Sequence, residues 1–233
     1  MIHRKLIIMS AVAGTALSGA ACTRTIAKLS PAPGTNVVEG AGKGAAATVA
    51  DVRVVARAGA WQWQPRDLET KATPILLELR NDAKYPVSVR YNRISLTDAD
   101  GHRFAVMAPY DVDGSLSEAY TVRNPFYGFD RFTVAPYLSR WYPRFSRYAG
   151  AFALDRSYYS PYATRYREIK LPTVDMVQRA LPEGVLSPGG HATGFVYFEA
   201  LHRDAKTLTL TVDIVDASTG ELVNTAHIPF VAN

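Results

Sequence analysis

Only one of the 233 residues is a cysteine, Cys22, so no internal disulfide can staple the chain. No apolar run reaches the roughly 18 residues that a membrane-spanning helix needs. Spacings of the HExxH, GxSxG and SxxK kinds are missing, and His102, His191, His202 and His227 stand singly. Gly189-Gly190 precedes a strand pattern, where a phosphate-cradling loop would need a helix start. These absences remove the recognisable metal and nucleophilic signatures, so a non-catalytic protein without metal or cofactor is the expectation. A hydrophobic fraction of 48% with 20% charge likewise excludes disordered and coiled-coil chains, and the length is enough for a sizeable core.

The N-terminus carries an address. His3, Arg4 and Lys5 form a basic region, and Leu6 to Leu17 is an apolar stretch of signal-peptide length. Leu17-Ser18-Gly19-Ala20-Ala21-Cys22 then brings small residues up to the lone cysteine. This end resembles a bacterial lipobox, with 1–21 as the lipoprotein signal peptide; Ala20 and Ala21 fit it, and Gly19 stands where an apolar residue is usual. The resemblance implies that Cys22 becomes an acylated N-terminus in the cell envelope. Thr23, in place of the aspartate used for inner-membrane retention, implies the outer membrane facing the periplasm. Two or three acyl chains, at about 0.8 kcal/mol per buried methylene, anchor a protein without spanning the bilayer. The alternative is cleavage after Ala20 or Ala21, which leaves a soluble secreted or periplasmic protein with a free thiol.

Residues 22–46 are rich in Gly, Ala, Pro and Thr with no sustained apolar period, which predicts a flexible tether after the lipidated cysteine. From there the pattern is that of strands. Val49 to Arg57 places Val52 and Val54 on one face; Ile75 to Leu79 is apolar, and Val87 to Tyr91 alternates. Ile94 to Leu96 and Phe104 to Met107 flank a turn at Asp98 to Gly101, which predicts a hairpin. Gly194 to Phe198, Leu208 to Val215 and Val223 to Val231 complete about seven strands. Without βαβ alternation, this predicts an all-β antiparallel sandwich over 47–233, with an insertion at about 110–170. One short helix is expected at about 173–181, capped by Thr173, with Val174, Val177 and Leu181 on one face. Asp98 and Asp100 before Gly101, and Asp111, Asp113 and Glu118 around Gly114, carry oxygens of the calcium-binding kind. They lack the EF-hand ligand series, so turn capping is the favoured reading.

Leu77-Glu78-Leu79-Arg80-Asn81 with Pro86-Val87-Ser88-Val89, Leu96 to Gly101, and Leu186 to Gly190 with Gly194 to Phe198 are similar to immunoglobulin-like domains of bacterial secreted proteins and lipoproteins. Trp61 to Pro74 and Leu171 to Phe198 resemble an uncharacterised family of predicted lipoproteins. The resemblance covers roughly 100 residues of the sandwich. It implies an immunoglobulin-like β-sandwich and no catalytic residue.

The densest chemistry lies inside the insertion. Between Tyr120 and Arg167 stand 15 of the chain's 25 aromatic residues, eight arginines, two aspartates and no lysine. Pro125, Pro136, Pro143 and Pro161 interrupt any long helix or central strand there. Tyr, Trp and Arg dominate interface hot spots, since they join large buried area to polar ends. Tyr127, Arg131, Tyr137, Arg140, Trp141, Tyr142, Arg144, Tyr158 and Tyr159 are therefore the candidate binding surface. Three readings stand: a satellite core with the arginines reaching to solvent, a protein-binding or self-association surface, or a platform for glycan rings or anionic lipid. Nucleic acid is not expected as a partner of an exported, anchored protein. The pI near 9.3 fits that distribution. The formal charge of +5 falls to +3 without 1–21, and because 120–167 alone carries +6, the remainder is −3.

Overall fold

A computed structural model describes residues 28–40, 44–123, 162–201 and 205–232, with backbone alone at 119–123 and 162–165. One sheet runs in the order β2 (Asn36–Val38), β3 (Gly44–Val49), β4 (Val52–Ala58), β5 (Ala72–Asn81), β13 (His191–Glu199), β9 (Val106–Met107), antiparallel throughout. The facing sheet is built on β14 (Thr207–Asp216) and β15 (Leu222–Ala232), with β1 (Leu29–Pro31) on the outer edge of β15. On its other side β14 pairs with β7 (Ile94–Asp98) along one half and with β6 (Val87–Val89) at the end. β8 (Arg103–Phe104) adds to β7, and β12 (Gly184–Leu186) to β6.

The chain changes sheet between β1 and β2, between β5 and β6, between β8 and β9, between β12 and β13, and between β13 and β14. Thus β4-β5-β13-β9 faces β15-β14-β6/β7-β8, which is the A-B-E-D and G-F-C-C′ arrangement of an immunoglobulin-like sandwich. Strand alternation produces the core: Ile75, Leu77 and Leu79 from one sheet meet Leu208, Leu210 and Val212 from the other, with Phe104, Phe198 and Phe230 filling between them. The insertion therefore lies between the D and E strands. It opens with a separate two-stranded ribbon, β10 (Ser115–Arg123) and β11 (Tyr162–Lys170), paired residue for residue from Ser115↔Lys170 to Arg123↔Tyr162. A short helix, α1 (Val174–Gln178), and β12 follow before β13 begins.

Four expectations need correction. The stretch 22–46 is not tether throughout, because β1, β2 and the start of β3 lie within it and are paired. Val49 to Arg57 is not one strand: Ala50 and Asp51, with φ of 49° and 60°, form a two-residue turn between β3 and β4. The Phe104 to Met107 arm divides at Ala105, with Phe104 kept on β7 and Val106 and Met107 passed to β13 in the other sheet. The helix starts at the expected cap, where the Thr173 hydroxyl accepts from the Met176 N–H at 3.3 Å, but it ends at Gln178. Its buried residue is Met176, while Val174 and Val177 are 70% and 49% exposed. A single turn and a half has too few residues to hold an i, i+7 face, and Leu181 is buried beyond the helix end.

Asn81, fully buried, closes one end of the sandwich. Its amide donates to the carbonyls of Tyr85 and Leu186, each at 2.9 Å, and its side-chain oxygen accepts from the Ala83 N–H at 3.0 Å. Its backbone groups pair with Gly189 and Gly190. Asn81→Asp removes both donations and introduces a charge, so stability should fall by about 3 kcal/mol or more. A urea unfolding curve reads this as a lower midpoint with an unchanged slope.

Candidate functional site

The site begins with strand β13, whose residues Phe195, Val196, Tyr197 and Phe198 are all buried. Val196 and Phe198 face the sandwich core, so Phe195 and Tyr197 face outward. Over them lies a second apolar cluster that includes Trp61, Leu68, Val112, Leu116, Leu171 and Met176. The chain also crosses directly over Gly194: a Cβ there would lie 2.4 Å from the Cα and the N of Leu181. This close approach lets the Phe195 N–H donate to the Arg179 carbonyl at 2.7 Å, while the Leu181 N–H donates to the Phe195 carbonyl at 2.8 Å. Glycine is required at that point by space.

Aromatic edges organise the cluster. Trp61 meets Phe195 edge-on at 5.1 Å between centroids and Tyr197 at 6.2 Å, and Trp63 contacts Trp61 at 5.6 Å and Phe195 at 5.7 Å. The polar ends are satisfied, since the Trp61 indole N–H donates to Pro65 O at 2.8 Å and the Tyr197 hydroxyl to Met176 O at 2.9 Å. Burial raises the Tyr197 pKa, keeping the hydroxyl a neutral donor. Trp63 is half-buried, and the Arg179 guanidinium lies 3.9 Å from its ring centroid, a cation–π contact worth about 0.5–1 kcal/mol at a partly exposed site.

The ribbon is rooted in this cluster. Leu116 and Leu171 anchor the bases of its two arms in the apolar layer. Beside them the Glu118 carboxylate, 5% exposed, accepts from the Arg66 N–H and from the Arg167 guanidinium, each at 3.0 Å. Glu118 and Arg167 are direct cross-strand partners. Arg167 also donates to the Gln64 side chain, and the Gln64 carbonyl accepts from the Thr173 hydroxyl at 2.8 Å. Burial pushes the Glu118 pKa up, but the Arg66 N–H and then the Arg167 guanidinium outweigh it, leaving the carboxyl below its ordinary value. Glu118 is thus a fixed anion with its acceptors in use. Further along β11, Tyr166 is 73% exposed.

A separate open cleft of about 600 Å³ lies beside β6 to β9, with Ile94 and Val106 as apolar lining and Arg90, Arg103, Asp111 and Glu183 among its charged residues. Glu183 accepts from the Tyr91 N–H at 2.8 Å, and the Tyr91 hydroxyl donates to Leu181 O at 2.6 Å. Burial, followed by the nearby Glu183 and Tyr110, pushes the Tyr91 pKa up to about 12. The four charged residues, all exposed, thus surround the apolar base with mixed sign. Among the described residues no group of three His, Cys, Asp or Glu side chains is placed to hold a metal ion.

Cys22 and the candidate surface Tyr127, Arg131, Tyr137, Arg140, Trp141, Tyr142, Arg144, Tyr158 and Tyr159 lie outside the described residues. Asp98 serves as a turn cap, its Oδ1 accepting from the Asp100 N–H at 3.1 Å and the His102 N–H at 2.8 Å. Glu118 belongs to the ribbon root and not to a calcium loop. Sequence reasoning missed the root itself: Trp61, Trp63, Glu118, Arg167 and Arg179. The available signal was two nine-residue arms, Ser115–Arg123 and Tyr162–Lys170, ending just before Pro125 and just after Pro161. Searches with family models, curated proteins and solved structures found no match for the chain.

Two outcomes follow from the root. Gly194→Ala forces the 179–181 segment off the sheet, with a cost of about 1–3 kcal/mol, and the near-ultraviolet circular dichroism of the Trp61–Trp63 cluster should weaken. For Glu118 the lowered folded pKa means that its stabilisation is complete above the ordinary value of 4.5 and is lost as pH falls through the lowered value. Glu118→Gln should cost about 1 kcal/mol at pH 7 and flatten that acid-side loss, as read by thermal midpoints from pH 7 to pH 3.

Proposed function

We propose that this protein is a lipid-anchored cell-envelope module, held through Cys22, that uses its Tyr/Arg-rich insertion to contact a protein partner and performs no catalysis. The observation that carries the binding reading is the ribbon. Nine residues on each side are paired in unbroken register, and the base is fixed by Leu116, Leu171 and the Glu118–Arg167 pair. Such a ribbon brings Arg123 and Tyr162 side by side, and 124–161, which joins them, has twelve aromatic residues, five arginines and two aspartates. The satellite-core role is met at the root by Trp61, Phe195, Tyr197 and Met176. This supports assigning the segment beyond the ribbon to contact. The anchor reading is supported by the basic start, the short apolar stretch, and the small residues before the lone Cys22.

Replacing 124–161 by a short turn that joins Arg123 to Tyr162 should leave the thermal midpoint within a few degrees and abolish partner recovery by in-cell crosslinking. Unchanged partners, or loss of the folded sandwich, would overturn the binding reading. Mass spectrometry of the membrane fraction should find an acylated Cys22 at the N-terminus, and an unmodified one sinks the anchor.

A further inference from the structure

The strand registers gather particular residues at one end of the sandwich. Leu29 pairs with Ala232, and the Ala232 N–H donates to Lys206 O at 2.8 Å. Leu208 is level with Phe230 on one side and with Asp98 on the other, which brings the Asp98–Arg103 turn to the same end. In the other sheet Ala72 is level with Glu199. A small recess is lined by Leu29 together with Gly59, Glu69, Thr73 and Leu201, so these ends of the two sheets coincide. Burial raises the pKa of Glu69, and Lys28 offsets part of that rise, so the charge of Lys28 is felt at the 68–71 turn.

The opposite end is equally well defined. The Asp82 N–H donates to Asp51 O at 2.9 Å, the Ala217 N–H to Pro86 O at 2.8 Å, and the Asn81 N–H to Gly190 O at 3.0 Å. The ten residues of β5 separate the two ends by about 30 Å. Lys71 and Lys206 are exposed at the first end, and Lys84 is exposed at the second.

Pairing of β1 from Leu29 leaves only 23–28 between Cys22 and the folded body. Even fully extended, that leash spans no more than about 25 Å, less than the length of the sandwich. Charge acts in the same direction. The leash carries Arg24 and Lys28, and the first end sets Lys71, Arg103 and Lys206 against Glu69, Asp98, Asp100 and Glu199. The far end sets Asp51, Asp82, Asp216 and Glu221 against Arg53, Arg80 and Lys84, the same ratio, so the difference between the ends is the cationic leash. An anionic bilayer attracts the leash and with it the end of the sandwich from which the leash leaves.

We propose that the end formed by Lys28, Leu29, Lys71, the Asp98–Arg103 turn and Lys206 docks on the lipid headgroup layer. The sandwich then stands end-on, with the turns at 50–51, 82–86, 187–190 and 216–221 directed away from the bilayer. This rests on the lipid-anchor reading above and adds the face that meets the lipid.

The test uses the protein recovered from membranes and reconstituted in vesicles of phosphatidylethanolamine and phosphatidylglycerol. Its lysines are acylated with a membrane-impermeant ester and followed site by site by mass spectrometry, with the soluble Cys22→Ser chain as reference. Lys71 and Lys206 should react at least fivefold more slowly on vesicles, with Lys84 within twofold of the reference. Unchanged Lys71 and Lys206, or Lys84 slowed as much as they are, overturns the docking face. The N-terminal peptide in the same spectra separates the two failures: acylated Cys22 with no protection leaves the anchor and removes the docking face, whereas unmodified Cys22 removes both.

Discussion

Strand β13 is apolar on both faces, and most of the architecture outside the two facing sheets answers that constraint. Phe195 and Tyr197 point away from the sandwich core yet are 2% and 0% exposed. Burying a side chain of this size is worth about 1.5–3 kcal/mol relative to leaving it in water. The outer face of the sheet therefore needs a lid, and a short D–E turn has no residues to supply one. The long D–E connection does: Val112, Leu116, Leu171 and Met176 all come from it, and Trp61 joins from the loop between β4 and β5. Gly194 lets this lid sit directly on the strand, and the hydroxyl of Tyr197 and the indole N–H of Trp61 find backbone carbonyls within it.

The ribbon can be understood from the lid. A two-stranded antiparallel ribbon has no core of its own and is marginal in water, so its order must be imported where it joins something larger. Leu116 and Leu171 supply the apolar part of that joint, one at the base of each arm. Glu118 supplies the polar part. It lies two residues along from Leu116, meets its cross-strand partner Arg167, and takes the Arg66 N–H from a different loop. The same residues thus cover β13 and brace the ribbon. Burial of β13 and order of the ribbon are coupled at one place.

The readable parts of the sequence were those where chemistry repeats at close range. Strand β14 alternates over Leu208, Leu210, Val212 and Ile214, and it lies where the pattern predicts. Thr173 and Asp98 act as the caps their types suggest. The turn at Ala50-Asp51 was hidden because neither residue is a glycine, so two strands read as one. β1 and β2 are three residues each, too short for a period to emerge from a Gly- and Ala-rich stretch. The aromatic root was hidden for a different reason: Trp63 and Arg179 are 116 residues apart, and no local pattern encodes a contact across that distance. Glu118 and Arg167 become partners only once the ribbon register is known.

Register also gives the charge distribution a physical role. The residues outside 1–21 and 120–167 sum to −3, while 120–167 carries +6. On a flexible chain, opposite charges of this size would fold back on each other and neutralise. A nine-residue ribbon of about 3.3 Å per residue sets Arg123 and Tyr162 roughly 27 Å from the base pair Ser115 and Lys170. That is more than three Debye lengths at physiological ionic strength. At the base, where opposite charges do meet, Arg167 is spent on Glu118. A stiff arm rooted in a shared apolar lid thereby holds the Arg123–Tyr162 pair away from the acidic body, which a disordered chain of the same composition would not do.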